Sequence, residues 1–236
     1  MNKNGQHVGI IGAMDSEVQY LIDSLMDVHC KRWANMEFYT GTLDGVPATV
    51  VKCGVGKTNA ALCAQALVLL FGVTCIINTG VAGSLDARIN VGDFVVSTDA
   101  IEHDFNVTFL GYQRGQIPGM DTSVFVADEH MRAHAVQAVY EVVSDQRAFE
   151  GRIASGDLFV GSRSIRENIA NMYDALCCEM EGAAIAHACH LMEVPFVVVR
   201  AISDKAGETT TVDYSAFETK AAEDCARVVK YMVSHL

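Results

Sequence analysis

The chain has 236 residues, half of them hydrophobic, which is enough for one sizeable core and predicts a single α/β domain over residues 1–236. Its 29 acidic against 17 basic side chains leave a formal net charge of -12, which repels phosphate backbones and anionic membrane surfaces, so nucleic acid and membrane are not expected partners. No apolar run is long enough to span a bilayer, and the start of the chain is polar where a secretory signal needs a charged start and a long apolar segment, so the cytoplasm is the expected location.

In chain order, Val8 to Met14 is an apolar run broken by Gly9 and Gly12 and followed by Asp15 as an N-cap candidate, which predicts strand, turn and helix. The helix carries Val18, Leu21, Ile22, Leu25 and Met26 as one apolar stripe, with Glu17 at its start. Extended runs Met36 to Thr42 and Val46 to Lys52 flank Leu43-Asp44-Gly45, a hairpin signal. A helix from about Lys57 to Phe71 is closed by Gly72; Val73 to Asn78 then reads as a buried strand ending in a small-residue turn, Thr79 to Gly83. Further strands are predicted at Asp93 to Ser97, Gly151 to Phe159, Ala175 to Met180 and Phe196 to Ile202, with helical patterns between several of them. The last helix is predicted to start at the capping-box pattern Ser215-Ala216-Phe217-Glu218 and to run towards Leu236.

This alternation predicts a mixed sheet covered by helices. Such sheets bind ligands beyond the C-terminal ends of their strands. Those ends carry Met14 and Glu17, Gly80 to Gly83, Phe159 and Val160, Met180 and Glu181, and finally Arg200, Ser203 and Asp204.

Several familiar patterns fail on inspection. Gly54-Val55-Gly56-Lys57-Thr58 imitates the end of a phosphate-binding loop, but Val51 stands where that loop needs its first glycine. Gly9-Ile10-Ile11-Gly12 lacks the third glycine of a dinucleotide fingerprint, because Asp15 occupies its place, and reads as tight packing. The eight cysteines form no Cys-x-x-Cys pair, and Cys53, Cys63, Cys75, Cys177, Cys178 and Cys189 lie in apolar stretches as buried thiols. His187 and His190 lack further ligands at zinc-like spacing, so neither metal nor cofactor is expected.

The carboxylates carry more. Glu17 in a first helical turn has an ordinary reading as dipole complement. Asp204 stands where the buried run Val197 to Ser203 leaves the core, beside a hydroxyl able to orient it, and reads as either helix cap or catalytic acid. Strand alternation puts Glu179 and Glu181 on one side, with Arg200 or solvent as partner in the bland reading and a ligand in the functional one. Phe159 follows Ser155-Gly156-Asp157 at a strand end, where an aromatic ring can face a crevice.

Together Gly9 to Met14 with Glu17, Ile76 to Gly80, Ser155-Gly156-Asp157, Glu179-Met180-Glu181 and Pro195 to Asp204 resemble the 5′-methylthioadenosine/S-adenosylhomocysteine nucleosidases of the purine nucleoside phosphorylase superfamily, over nearly the whole chain. The resemblance implies a three-layer α/β/α sandwich of nucleoside phosphorylase type, in which water cuts the N-glycosidic bond of an adenosine carrying a 5′-thio substituent. By the same resemblance, Asp204, steadied by Ser203, protonates or hydrogen-bonds the five-membered ring of adenine. Glu17 then takes a proton from the attacking water, Arg200 helps hold that constellation, and Glu181 binds the ribose hydroxyls. Phe159 stacks on adenine and the backbone of Val160 reads its edge, while Met180 and the Gly80 to Gly83 segment line the sugar side. Met14, Val55, Val107, Leu110, Pro118 and Met180 form the pocket for the sulfur substituent, completed by the partner subunit of a homodimer.

Two departures stand out: Val81, where some relatives carry serine, and Tyr214, where related chains place phenylalanine. The rival readings are a phosphorylase, for which Glu17 would repel the phosphate nucleophile, a hydrolase of another nucleoside such as a futalosine derivative, and a non-catalytic nucleoside sensor, which would be expected to lose Glu17 or Asp204.

Overall fold

The computed structural model describes residues 5–206 and 211–236, the side chains of 211–216 excepted. Apolar runs flanked by turn residues form strands buried on both faces. They are β1 (Val8–Gly12), β4 (Val46–Lys52), β5 (Cys75–Ser84) and β10 (Phe196–Lys205), and β1 pairs parallel with both β4 and β5. The remaining strands are β2 (Met26–Trp33), β3 (Met36–Leu43), β6 (Phe94–Glu102), β7 (Val124–Val126), β8 (Ala148–Ser155) and β9 (Ala175–Glu179). The helices are α1 (Asp15–Asp23), α2 (Lys57–Phe71), α3 (Glu129–Val142), α4 (Arg163–Tyr173), α5 (Gly182–Met192) and α6 (Thr211–His235).

The sheet runs β10-β6-β8-β9-β5-β1-β4-β3-β2, with β7 on β6. Because β10 also pairs with β5, five of these strands close into a ring, and β1 to β4 extend from it as an open wing. Helices α2 and α5 pack together, while α1 and α3 pack against α6, which lies along β5 and β10. This is the helix-covered mixed sheet that the alternation predicts, with a closure that it does not.

The hairpin and α2 stand where the sequence puts them. Asp44 and Gly45 both take positive φ, 49° and 84°, as a tight hairpin turn between right-twisted strands requires, and Gly72 closes α2 in the left-handed region.

Other boundaries move for identifiable reasons. Helix α1 stops at Asp23, because the Ser24 hydroxyl bonds back to the Tyr20 carbonyl and Asp27 turns to positive φ. Met26 therefore begins an exposed edge strand instead of extending the apolar stripe. Asp15 is the first residue of α1, and the N-cap is Met14, whose N–H is taken by Glu17. Thr79 to Gly83 is no turn: it is the end of β5, pinned between β10 and β9. Strand β8 ends at Ser155, so Phe159 lies in the following loop. Helix α6 starts at Thr211, which places Ser215 within it and not at its cap. The side chain of Tyr214 lies outside the described residues.

No helix among the described residues is long and apolar enough to cross a membrane.

Candidate active site

At the C-terminal ends of β1, β5 and β10 lies a cavity of about 270 Å³. Its walls contain Met14, Glu17, Val55, Gly83, Phe159, Val160, Met180, Glu181, Ser203 and Asp204. Arg200 is fully buried behind this surface, not on it. Val107, Leu110 and Pro118 do not line the cavity. They belong to the segment between β6 and β7, where Leu110 is exposed.

Glu17 owes its position to the crossing of α1 over the ends of β1 and β5. Its Oε2 accepts the N–H groups of Ala13 at 2.6 Å and Met14 at 3.0 Å, and its Oε1 accepts that of Val81 at 3.0 Å. The small residues noted in the sequence make room for it. A Cβ on Gly80 would run into the Glu17 carboxylate, and one on Gly12 would lie 2.6 Å from Val18 Cγ1 and 3.0 Å from Glu17 Cβ. Burial pushes the Glu17 carboxyl above its ordinary pKa, against the opposing charge of Arg200 and the three N–H donors.

Asp204 is aimed by a break in strand register. Ile202 pairs with Ala82 and Asp204 with Gly83, so Ser203 is an extra residue, a bulge in β10. Regular alternation would send Ser203 and Asp204 to opposite faces, whereas the bulge lets both line the cavity. Ser203 Oγ donates to Asp204 Oδ1 at 2.8 Å. Gly83 lies close under the carboxylate, where an added Cβ would come within 3.2 Å of Asp204 Oδ2. Burial raises the Asp204 pKa and the Ser203 bond lowers it, with burial prevailing.

Glu179 and Glu181 part company, because the strand ends between them. Glu179 is the last residue of β9, and Glu181 is the N-cap of α5. Glu179 Oε2 accepts Arg200 Nη2 at 2.5 Å, Gly182 N–H at 2.7 Å and Glu181 N–H at 3.0 Å, while Oε1 accepts the Ser155 hydroxyl. Burial would raise its pKa, but the Arg200 charge and these donors outweigh it, and Glu179 stays ionised below the usual range. Among the described residues, Glu181 has a single N–H donor to its carboxylate, Gly56 at 2.6 Å. Burial and the charge of Glu179 push Glu181 up to about 7.

The loop after β8 completes the cavity. Phe159 is 61% exposed and Val160 only 6%, so a ring stands over a buried neighbour. Asp157 anchors the loop, accepting Lys57 N–H at 2.8 Å and donating its own N–H to Asp104 at 2.9 Å. The glycine segment that imitates a phosphate loop is thereby accounted for. Its N–H groups serve Glu181 and Asp157, and Lys57 Nζ is held by Glu102 at 2.8 Å and Asp104 at 2.7 Å.

Among the described residues lining the cavity there is no Lys or Arg, and no described group of three His, Cys, Asp or Glu side chains could hold a metal ion. The six cysteines expected inside are buried, as is Cys225. His187 hydrogen-bonds Glu102 at 3.1 Å and stacks on Phe125, a structural role.

Sequence reasoning missed the backbone donors that hold Glu17 and Glu181, because an N–H group has no residue signature. It also missed Glu179 as an organiser, although the price of burying an acid on an apolar strand signalled a partner.

A sequence model described as the phosphorylase superfamily matches residues 7–234. A 5′-methylthioadenosine/S-adenosylhomocysteine nucleosidase from Anoxybacillus flavithermus is 39% identical over 98% of this chain and 99% of its own length. The crystal structure of a nucleosidase of that name from Colwellia psychrerythraea, in complex with adenine, superposes with a TM-score of 0.95 at 34% identity, covering 100% of this chain and 98% of that one. The futalosine hydrolase of Helicobacter pylori is also similar, with a TM-score of 0.92 at 31% identity over 98% of this chain and 99% of its own. The buried carboxylates and backbone donors described above are thus set in a shared fold, and the chain belongs to the phosphorylase superfamily, within the 5′-methylthioadenosine/S-adenosylhomocysteine nucleosidase family.

Proposed function

We propose that this chain, as one nucleosidase domain over residues 1–236, hydrolyses the N-glycosidic bond of 5′-methylthioadenosine and S-adenosylhomocysteine, and also of 5′-deoxyadenosine. It is a hydrolase acting on N-glycosyl bonds, and its products are adenine and the 5′-substituted ribose, a reaction suited to methionine salvage. One observation carries the reading: two buried carboxylates with different surroundings, Glu17 and Asp204, face one cavity that has no Lys or Arg among its described lining residues.

In the proposed reaction the C1′–N9 bond breaks as Asp204 gives its proton to the five-membered-ring nitrogen N7, so that adenine leaves neutral. The sugar passes through an oxocarbenium-like state, and water adds to C1′ while Glu17 accepts the released proton. Nearby carboxylate charge favours that cationic state over the neutral substrate. Glu181 holds the ribose hydroxyls, and its place over Gly56 fits that role. Phe159 stacks on adenine, with the backbone of Val160 at its edge. Met14, Val55 and Met180 line the path of the 5′ substituent. Val107, Leu110 and Pro118 reach this pocket from a second copy of the chain in a homodimer. The exposure of Phe109 (99%) and Leu110 (68%) supports that arrangement, because such side chains gain from a partner surface.

The test is release of free base from methylthioadenosine, adenosylhomocysteine, inosine and futalosine, with and without phosphate. Adenine release from the two thio-nucleosides, independent of phosphate, is expected. A requirement for phosphate would make the chain a phosphorylase, for which the cavity offers no cation among its described lining residues. Turnover of futalosine alone would move it to the activity named for the Helicobacter neighbour.

A further inference from the structure

Within the site proposed above, three carboxylates lie around one buried guanidinium. Arg200 is 2% exposed and feels the charges of Glu179, Glu17 and Glu181. It bonds directly to only one of them, Glu179, and its second strong partner is the amide oxygen of Asn78. Glu179 is thus the acid that takes the ion pair.

The same carboxylate also determines the backbone beyond it. Its Oε2 receives the N–H groups of Glu181 and Gly182 and so fixes the entry into α5, from which the Glu181 side chain turns to Gly56. Its Oε1 is tied to Ser155, whose Oγ accepts Ala183 N–H at 2.6 Å. One buried group therefore joins β8, β9, β10 and the first turn of α5.

We propose that Glu179 is a positioning residue: by holding Arg200 and clamping the first turn of α5, it orients Glu181 for the ribose and governs the charge that Glu181 carries. The inference rests on the nucleosidase reading for the roles of Glu17 and Glu181, but the clamp and the charge arrangement stand on the geometry. The ionisable groups facing Glu179 are Arg200 from β10, Glu181 at the start of α5, His103 beyond β6, and the thiols of Cys177 and Cys178 on its own strand. Both thiols are pushed up by burial and stay protonated, His103 is pulled down by burial and stays neutral at pH 7, and Arg200 keeps its charge throughout, so Glu181 is the partner whose charge responds.

The experiment compares wild type with Glu179→Gln, which keeps the shape and removes the charge, Glu179→Asp, which keeps the charge and shortens the arm, and Ser155→Ala, which removes one donor. Carbon-13 NMR of the carboxyl groups follows Glu181, and adenine release from methylthioadenosine gives kcat and KM from pH 5 to 9. With the charge gone, Glu181 should titrate at least about half a unit lower in Glu179→Gln, and the acid limb of kcat/KM should move the same way. KM should rise about tenfold in Glu179→Gln and Glu179→Asp, while only the latter keeps the wild-type titration; Ser155→Ala should raise KM about threefold with the titration unmoved. An unshifted Glu181 in Glu179→Gln, or equal shifts in Gln and Asp variants, would overturn the proposal. If Glu179→Gln does not fold, an unchanged KM in Glu179→Asp and Ser155→Ala overturns it as well. Should wild type release no adenine, the nucleosidase reading fails instead, and the NMR titration still decides the role of Glu179.

Discussion

Glu17 and Asp204 face the same cavity, yet their surroundings differ in kind. Both are buried, and burial raises the pKa of each. Glu17 has three backbone N–H donors and the Arg200 charge working against burial, whereas Asp204 has, among the described residues, the Ser203 hydroxyl. Donors and cations favour an ionised carboxylate, and their scarcity favours a protonated one. That asymmetry supports the proposed division of labour, with Glu17 as proton acceptor and Asp204 as proton donor, on the principle that two carboxyls in one site are told apart by their environments.

The largest expected effect comes from removing the cation on the Glu17 side. Arg200→Met leaves Glu179 buried and unpaired, and should lower stability in urea by about 3–5 kcal/mol. A loss below about 1 kcal/mol would show that the ion pair does not support this half of the site. Next, Glu17→Gln and Asp204→Asn should each lower turnover at least about a hundredfold, about 2.7 kcal/mol in barrier, with circular dichroism unchanged. Near-normal adenine release by either variant would strike that residue from the mechanism.

Ser203→Ala sharpens the contrast with the smallest change. Losing one hydrogen bond costs about 1 kcal/mol, so turnover at neutral pH should fall about fivefold. The sign of its pH effect is diagnostic. Ser203 stabilises ionised Asp204, so without it the acid stays protonated to higher pH and the alkaline limb of kcat/KM should move up. The acid limb reports the opposite requirement, ionisation of the proposed proton acceptor Glu17 and ribose holder Glu181, and it should lie above 4.5, the ordinary value for both carboxyls. An alkaline limb that moves down in Ser203→Ala would contradict the assignment of Asp204 as donor.

Much of the site could be seen in the chain. Glu17, Glu181 and Asp204 were legible as acids at the ends of apolar strands, where an ordinary core has no use for them. Phe159 was legible for its position after Ser155-Gly156-Asp157. The edge strand β2 was not, because its side chains are exposed throughout and carry no hydrophobic period. Nor was the fate of Glu179 and Glu181, since alternation holds only while the strand continues, and β9 ends between them.

By itself the sequence determined where strands meet helices and which acids stand at those junctions, because apolar periodicity and glycine placement act locally. Only the tertiary structure decided which acid is held ionised by Arg200, which gathers backbone N–H groups, and which is aimed by a bulge. Those outcomes depend on a bulge at Ser203, on N–H groups of Ala13, Val81 and Gly56, and on the closure of β10 onto β5. Each joins segments far apart in the chain or uses backbone atoms that every residue shares, and neither leaves a mark in residue order.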